Sequence, residues 1–455
     1  MSTIAAIATP LGQGGVGMIR VSGEDAIDIV NKVFKPVSGV SLAEVPGYTA
    51  KYGKVMDESG NVIDDAVALI FRNPHSYTGE NVVEVTCHGG LFILKMILGL
   101  IFKAGAVPAE PGEFTKRAFL NGKIDLTQAE SVMDIISANG RHAAKLAAAA
   151  HEGALYKKIT TVKNSLVEIA AHLAVWADYP EEDIPQLKVD SLKNRLSISV
   201  NEIKNLLDGY DSGKVLREGL DTVIVGRPNV GKSTLMNLLS GCERCIVTDI
   251  PGTTRDTIEE KIVLGDVILN VCDTAGIRDT DDPIEKIGVL KAKKKIDNAD
   301  LIITVFDYSK PLDVGELELL RSFPKDAIKI GIVNKSDLVC NFEDEKIRPF
   351  LDEVIFMSAL KGSGIENLSQ FISNCVDFSK AESTEGVLST ERQRRFVQSA
   401  YEALIEAIMA LDDLMTLDAV SVSIDFAISE LLKLTGERVT DVVVNEVFSK
   451  FCVGK

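Results

Sequence analysis

The 455-residue sequence predicts a multidomain protein of α/β plus all-α class: an N-terminal α/β domain, a central helical bundle discontinuous in sequence, and a doubly wound P-loop domain inserted into that bundle. Three observations carry this expectation. The first 119 residues alternate strand-like and helix-like segments, two later helical stretches share one apolar spacing, and between those stretches a glycine-rich loop follows a short apolar run. The expected boundaries are 1–119 for the N-terminal domain, 120–215 and 381–455 for the two helical parts, and 216–380 for the inserted domain.

In the first region "TIAAIATP", "GMIRVSG", "DDAVALIF" and "NVVEVTCH" read as strands, "EDAIDIVNKVF" as a helix and "DESGN" as a turn. Gly12–Gly17, "GQGGVG", matches a dinucleotide fingerprint, but that motif needs a helix next and "MIRVSG" reads as a strand. A tight loop is the better expectation. "LFILKMILGLIF" (Leu91–Phe102) holds Lys95 and is too short to cross a bilayer, so it is expected as a buried helix. Beyond Lys123, Leu155, Ile159, Val162, Leu166, Ile169, Leu173 and Trp176 recur at alternating steps of four and three, a bundle seam. "KAESTEGVLSTERQRR" (Lys380–Arg395) reads as a polar linker, after which Val397, Tyr401, Leu404, Ile408, Leu411 and Met415 resume the same spacing. Insertion of a domain into an exposed bundle loop accounts for the order.

Composition narrows the class further. Hydrophobic residues make up 46% and charged residues 25%, which excludes wholesale disorder. Seven scattered cysteines form no disulfide framework, and Cys242 and Cys245 lack a second zinc-spaced pair. Cys452 in the terminal "CVGK" is not a prenylation box, because Gly454 and Lys455 occupy the wrong slots. The N-terminus has no basic flank or cleavage pattern, so a cytoplasmic location without membrane insertion is expected. A net charge of −17 argues against a surface that is basic overall, so any RNA must meet a local patch or a partner's surface.

Chemistry concentrates in the inserted region. "VIVGRPNVGKSTLMNLL" is a strand, a loop and a helix start, with Gly226-x-x-x-x-Gly231-Lys232-Ser233 at the turn. Asn229, Val230, Gly231, Lys232, Ser233 and Thr234 are expected around the phosphates, Lys232 reaching the β/γ-phosphates and Ser233 meeting Mg²⁺. Asp273 ends the strand "VILNVCD" as a candidate for the Mg²⁺ shell and opens the switch Asp273, Thr274, Ala275, Gly276. "IKIGIVNKSD" brings Asn334, Lys335 and Asp337 to a strand end. A carboxylate there accepts from both donors of guanine, and adenine has no such pair. Ser358, Ala359 and Leu360 follow the next strand as the backbone contact to the base. GTP, rather than ATP, is the expected nucleotide.

The residue after the switch glycine is Ile277, which can orient no water. "TDIPGTTRD" supplies Thr248, Asp249, Ile250, Pro251, Gly252, Thr253 and Thr254, with Thr254 the candidate second Mg²⁺ hydroxyl. A monovalent cation on the Asn229 oxygen and the carbonyls of that loop could supply the missing positive charge, and Glu285 in "DDPIEKIG" could position water. A solvated acid at a helix start is the rival reading of Glu285. Lys232, Arg255 and Glu285 are the catalytic candidates.

"GRPNVGKST", "TDIPGTTRD", "DTAGIRD", "NKSD", "PGEFTKRAFLNGKIDLTQAE" and the terminal "FCVGK" together resemble the TrmE-type family of potassium-activated tRNA-modification GTPases, along the whole chain. The resemblance implies a Ras-like inserted G domain, K⁺ held by Asn229, Thr248, Ile250 and Thr253, and Glu285 acting through a bridging water. It also implies an N-terminal domain resembling a tetrahydrofolate-binding fold, a homodimer, and a one-carbon folate, 5-formyltetrahydrofolate, met by Arg20, Glu84, Lys123 and Lys455. Cys452 would lie beside that pocket, either as a reactive group or, more plainly, as a packed or exposed thiol. The implied reaction is 5-carboxymethylaminomethyl-type modification of the tRNA wobble uridine, in a heterotetramer with the FAD-dependent partner MnmG. A ribosome-assembly GTPase is the alternative, but it would carry a second G domain or a KH module, and the sequence displays neither.

Overall fold

The computed structural model describes residues 1–12, 14–138, 140–178, 189–241, 243–244, 259–265, 267–272, 295–375, 386–413 and 415–455. They divide into two compact units, 1–133 with 159–180 and 417–455, and 134–158 with 181–416.

The first unit opens with β1 (Ile4–Ile7), β2 (Gly17–Ser22), α1 (Ala26–Val33), β3 (Phe34–Pro36), β4 (Thr49–Met56), β5 (Val62–Phe71), β6 (Val82–Cys87), α2 (Leu91–Lys103), β7 (Val107–Pro108) and α3 (Glu113–Leu120). The strands form one sheet in the order β3-β4-β5-β6-β2-β1-β7, antiparallel except for the β1–β7 pair. Alternation sorts the residues by face. Ile19, Val21, Ala68, Ile70, Val83 and Val85 turn toward α1 and α2, while Arg20 and its register partner Glu84 turn the other way. The "GQGGVG" loop indeed runs directly into a strand, β2. The expectation of a buried α2 needs correction. Leu94, Ile97 and Ile101 are buried, but Phe92 is 74% and Met96 39% exposed, because a helix lying on a sheet offers it one stripe only.

Helices follow: α4 (Leu126–Ser137), α5 (Arg141–His151), α6 (Ala154–Asp178), α7 (Val189–Asp208) and α8 (Tyr210–Glu218). The seam Leu155, Ile159, Val162, Leu166, Ile169 and Leu173 is buried along α6, at about 1.5–3 kcal/mol for each fully buried aliphatic side chain. The Trp176 side chain lies outside the described residues.

The second sheet uses β8 (Leu220–Val225), β9 (Glu243–Arg244), β10 (Glu259–Leu264), β11 (Val267–Cys272), β12 (Leu301–Asp307), β13 (Ile328–Asn334) and β14 (Glu353–Phe356), with helices α9 (Lys232–Gly241), α10 (Val314–Arg321) and α11 (Ile365–Cys375). Its order is β14-β13-β12-β8-β11-β10-β9, parallel from β14 to β11 and antiparallel at the β10 edge. All seven residues of β12 are buried, as a central parallel strand covered on both faces requires.

The chain ends in α12 (Glu391–Asp412), α13 (Leu417–Thr435) and α14 (Asp441–Ser449). Two corrections fall here. The second half of the expected linker is packed structure: Val387 to Thr390 are buried, and Thr390 caps α12 by accepting from the Gln393 amide at 3.1 Å. Met415 leaves the seam, because α12 stops at Asp412 and Met415 is 55% exposed. Val397, Leu404 and Leu411 hold the buried stripe, interleaved with Ala400, Ala403, Ala407 and Ala410.

Candidate functional site

The candidate nucleotide site gathers at the carboxyl ends of β8, β12, β13 and β14, where ligands of doubly wound sheets bind. The loop from Gly226 to Gly231 joins β8 to α9, as the phosphate-loop pattern requires. Lys232 starts α9 and donates Nζ to the carbonyls of Gly226 (2.6 Å) and Arg227 (2.8 Å), so its ammonium is folded over the loop. Ser233 and Thr234 stand exposed on the first turn. Asn229 takes a left-handed φ of +65°, rare for a residue with a side chain.

The loop after β13 grips the phosphate loop. Asn334 donates Nδ2 to the Val230 carbonyl at 2.9 Å and accepts from the Ala359 amide at 2.9 Å. Lys335, itself at φ +65°, donates Nζ to the Asn229 carbonyl at 2.8 Å. A Cβ on Gly231 (φ +102°) would stand 2.2 Å from Asn334 Nδ2, so this crossing needs glycine. Asp337 is held from the other side: Ser358 Oγ donates to its Oδ1 at 2.8 Å, and Lys361 lies 3.5 Å away. The Ser358 bond, with Lys361 adding attraction, holds the Asp337 carboxyl below the ordinary 3.8 and ionised for a donor pair. Leu360 is 82% exposed.

Asp307, which sequence reasoning missed, completes this group. It ends β12 and accepts from Lys335 Nζ at 2.6 Å, from Ser309 Oγ at 2.7 Å and from the Ser309 amide at 3.0 Å. Burial pushes its carboxyl up, but the bonds from Lys335 and Ser309 outweigh that and the net shift is downward. The available signal was position: like Asn334, Asp307 is a polar residue ending an apolar run, "LIITVFD".

Thr248, Asp249, Ile250, Pro251, Gly252, Thr253, Thr254, Arg255, Asp273, Thr274, Ala275, Gly276 and Glu285 lie outside the described residues, as do Cys242 and Cys245. Of the expected Mg²⁺ and K⁺ ligands, therefore, the structure describes Ser233 and Asn229.

A second group forms on the N-terminal sheet. Arg20 donates Nε to Glu84 Oε1 at 2.9 Å and Nη1 to the Gly454 carbonyl at 3.2 Å. Its guanidinium lies 5.6 Å from the ring centres of both Tyr77 and Phe114. The tail is seated by its own backbone: the Gly112 amide donates to the Cys452 carbonyl (3.3 Å) and the Phe114 amide to the Lys455 carbonyl (3.1 Å). Gly454, at φ +98°, lies where a Cβ would meet the Ile7 carbonyl at 2.5 Å. Burial, and then the charge of Arg20, hold the Lys455 amine below its ordinary 10.5. Two cations, one carboxylate and two aromatic rings suit a ligand with an aromatic ring system and carboxylates. Lys123 is engaged differently, its Nζ on the Pro74 carbonyl at 3.2 Å, and Cys452 is half-buried. Tyr77 carried no motif, and Phe114, although within "PGEFTKRAFLNGKIDLTQAE", carried nothing that singled it out as a neighbour of Arg20.

A phosphate loop on a doubly wound sheet, gripped by Asn334 and Lys335 with Asp337 beyond them, defines a P-loop GTP hydrolase. Residues 3–123 match the family model for the GTP-binding protein TrmE N-terminus, and residues 126–452 that for the MnmE helical domain. The tRNA modification GTPase MnmE of Clostridioides difficile is 44% identical over 456 residues, covering 100% of this chain and 99% of that protein. The protein of the same name from Carboxydothermus hydrogenoformans is 40% identical over 458 residues, with 100% and 99% covered. The chain belongs to the MnmE family of tRNA modification GTPases.

Proposed function

We propose that this chain is a K⁺-stimulated GTP hydrolase that, as a homodimer and with the FAD-dependent partner MnmG, takes part in 5-carboxymethylaminomethyl-type modification of the wobble uridine of certain tRNAs, in the cytoplasm. In the nucleotide site Asp337 selects guanine and Lys232 neutralises the β/γ-phosphates. Ser233 of the phosphate loop and Thr254 of the Thr248–Asp256 segment hold Mg²⁺, with Asp273 in its shell. Asn229, Thr248, Ile250 and Thr253 hold K⁺, which supplies positive charge where charge develops in phosphoryl transfer. Glu285 orients water, and Arg255, in the Thr248–Asp256 segment, is the further catalytic candidate. Among the described residues no helix is long and apolar enough to cross a membrane, in keeping with this reading.

One observation carries the modification half of the proposal: residues 434 positions apart meet, the Arg20 guanidinium taking the Gly454 carbonyl while Lys455 is drawn in beside it. GTP hydrolysis by itself needs no such pocket. We read it as the seat of 5-formyltetrahydrofolate, with Arg20 and Lys455 meeting the carboxylates of the glutamate tail and Glu84 accepting from the amino edge of the pterin. Titration of the purified protein with 5-formyltetrahydrofolate tests the pocket, and saturable binding lost on truncation before Phe451 is the expected result. Modified-nucleoside analysis of tRNA from a deletion strain tests the reaction. Unaltered wobble uridine in that strain would remove the assignment.

A further inference from the structure

Lys335 is the only described side chain shown bridging a buried carboxylate and a phosphate-loop carbonyl: its Nζ lies 2.6 Å from Asp307 Oδ2 and 2.8 Å from the Asn229 carbonyl. Both ends of the second bond are residues with side chains at φ +65°. Such backbone persists only where its surroundings over-determine it, and this ammonium is the part of those surroundings that meets the Asn229 carbonyl itself, beside the bonds of Asn334 to Val230 and of Lys232 to Gly226 and Arg227. The ammonium is itself anchored. The Asp307 side chain is 3% exposed and ends the fully buried strand β12, and its other oxygen is fixed by the Ser309 amide and hydroxyl. Asp307 and Asn334 are register partners at the ends of β12 and β13, so the anchor sits on two paired strands of the sheet.

We propose that Asp307 is a positioning residue for GTP hydrolysis, acting through Lys335 to hold Asn229 in the one backbone conformation that presents its side chain to the phosphates and the stimulating cation. The cation part rests on the K⁺ reading above. Asp307 touches neither nucleotide nor ion. Its carboxylate fixes where the ammonium stands, and the ammonium fixes the Asn229 peptide. Without that charge Lys335 keeps only neutral acceptors, its hold on the Asn229 peptide weakens, and more of the ordering of any ligand set that includes Asn229 falls to the ligand itself.

The test is Asp307→Asn in the full chain, which keeps the shape and removes the charge. Amide exchange of residues 227–231 in nucleotide-free protein reads the position directly, and faster exchange there with unchanged protection of β12 and β13 is expected. At saturating GTP and Mg²⁺, the KCl concentration giving half-maximal hydrolysis should rise about tenfold, the loss of one charge-assisted hydrogen bond. Ser309→Ala, which removes one bond from the Asp307 carboxylate but leaves its charge and the Lys335 bond in place, should move both quantities less than Asp307→Asn does, and equal shifts would overturn the role given to the charge. Exchange of 227–231 identical to wild type in a folded Asp307→Asn protein overturns the proposal. If exchange rises but wild-type hydrolysis is equal in KCl and NaCl, the K⁺ reading fails and the positioning role stands. Should Asp307→Asn lose cooperative unfolding, Asp307→Glu, which displaces the charge by one methylene, is read by the same two measurements.

Discussion

The two sheets build their sites in opposite ways. On the β8–β14 sheet each piece is a short run of consecutive residues delivered by one strand end, and the pieces are joined by bonds such as Asn334 to Val230 and Lys335 to Asn229. On the N-terminal sheet the proposed folate site is assembled from single residues far apart: Arg20 and Glu84 from neighbouring strands, Tyr77 from a loop, Phe114 from α3, and Gly454 and Lys455 from the last residues. A phosphate needs a dense array of backbone N–H groups, which only contiguous chain provides. A ligand with an aromatic body and separate charges needs a few groups well apart, which different elements supply. The first kind of site should therefore fail through single residues of the motif, and the second through loss of a remote seat.

The largest effect expected is on the motif side. Glu285→Ala should slow hydrolysis by about 10²–10³, the usual consequence of losing one preorganised transition-state contact, with GTP affinity nearly unchanged in equilibrium binding. Wild-type turnover would leave Glu285 a surface acid. Next, Asp337→Asn should weaken GTP binding roughly 10²-fold, because the donor pair of guanine meets a mismatched group, and should favour xanthine nucleotide. Equal GTP affinity would mean that the bond from Ser358 positions Asp337 for something other than base selection.

The assembled site should break differently. Gly454→Ala puts a Cβ 2.5 Å from the Ile7 carbonyl at a left-handed φ. That strain of about 1–2 kcal/mol should unseat the tail and lower folate affinity about tenfold, while GTP turnover stays at the wild-type level. A fall in turnover would show that the two sites are not separable. The smallest effect concerns pH. Burial and Arg20 lower the Lys455 pKa in the folded state below the ordinary 10.5. Folding therefore disfavours the charged amine, and this cost is full below the folded value and vanishes as pH rises past 10.5. Stability of wild type relative to Lys455→Gln should rise across that window in denaturant titrations. A flat difference would place the amine in solvent.

Legibility followed the same division. The strand–loop–helix at Gly226–Ser233 and the NKSD turn were readable because local backbone chemistry dictates them, and the α6 seam because one face of a helix has a fixed period. The sequence misled where neighbours decide. Phe92 and Met96 looked like core but lie on the uncovered side of α2, and the packed run from Val387 to Thr390 was read as linker because its polar residues are satisfied by α12 capping.

By itself, then, the sequence determined the strand–loop–helix around Gly226–Ser233 and the strand end that delivers Asn334 to Asp337, since consecutive groups dictate both. Which carboxylate anchors Lys335, which rings flank Arg20, and that Gly454 at the end of the chain meets strand β1 near its start were decided only by tertiary structure. The physical reason is separation along the chain. Those contacts join residues from 28 positions apart (Asp307 and Lys335) to 447 apart (454 − 7, Gly454 and Ile7). No local preference encodes such pairings, and burial on a common sheet brings them about.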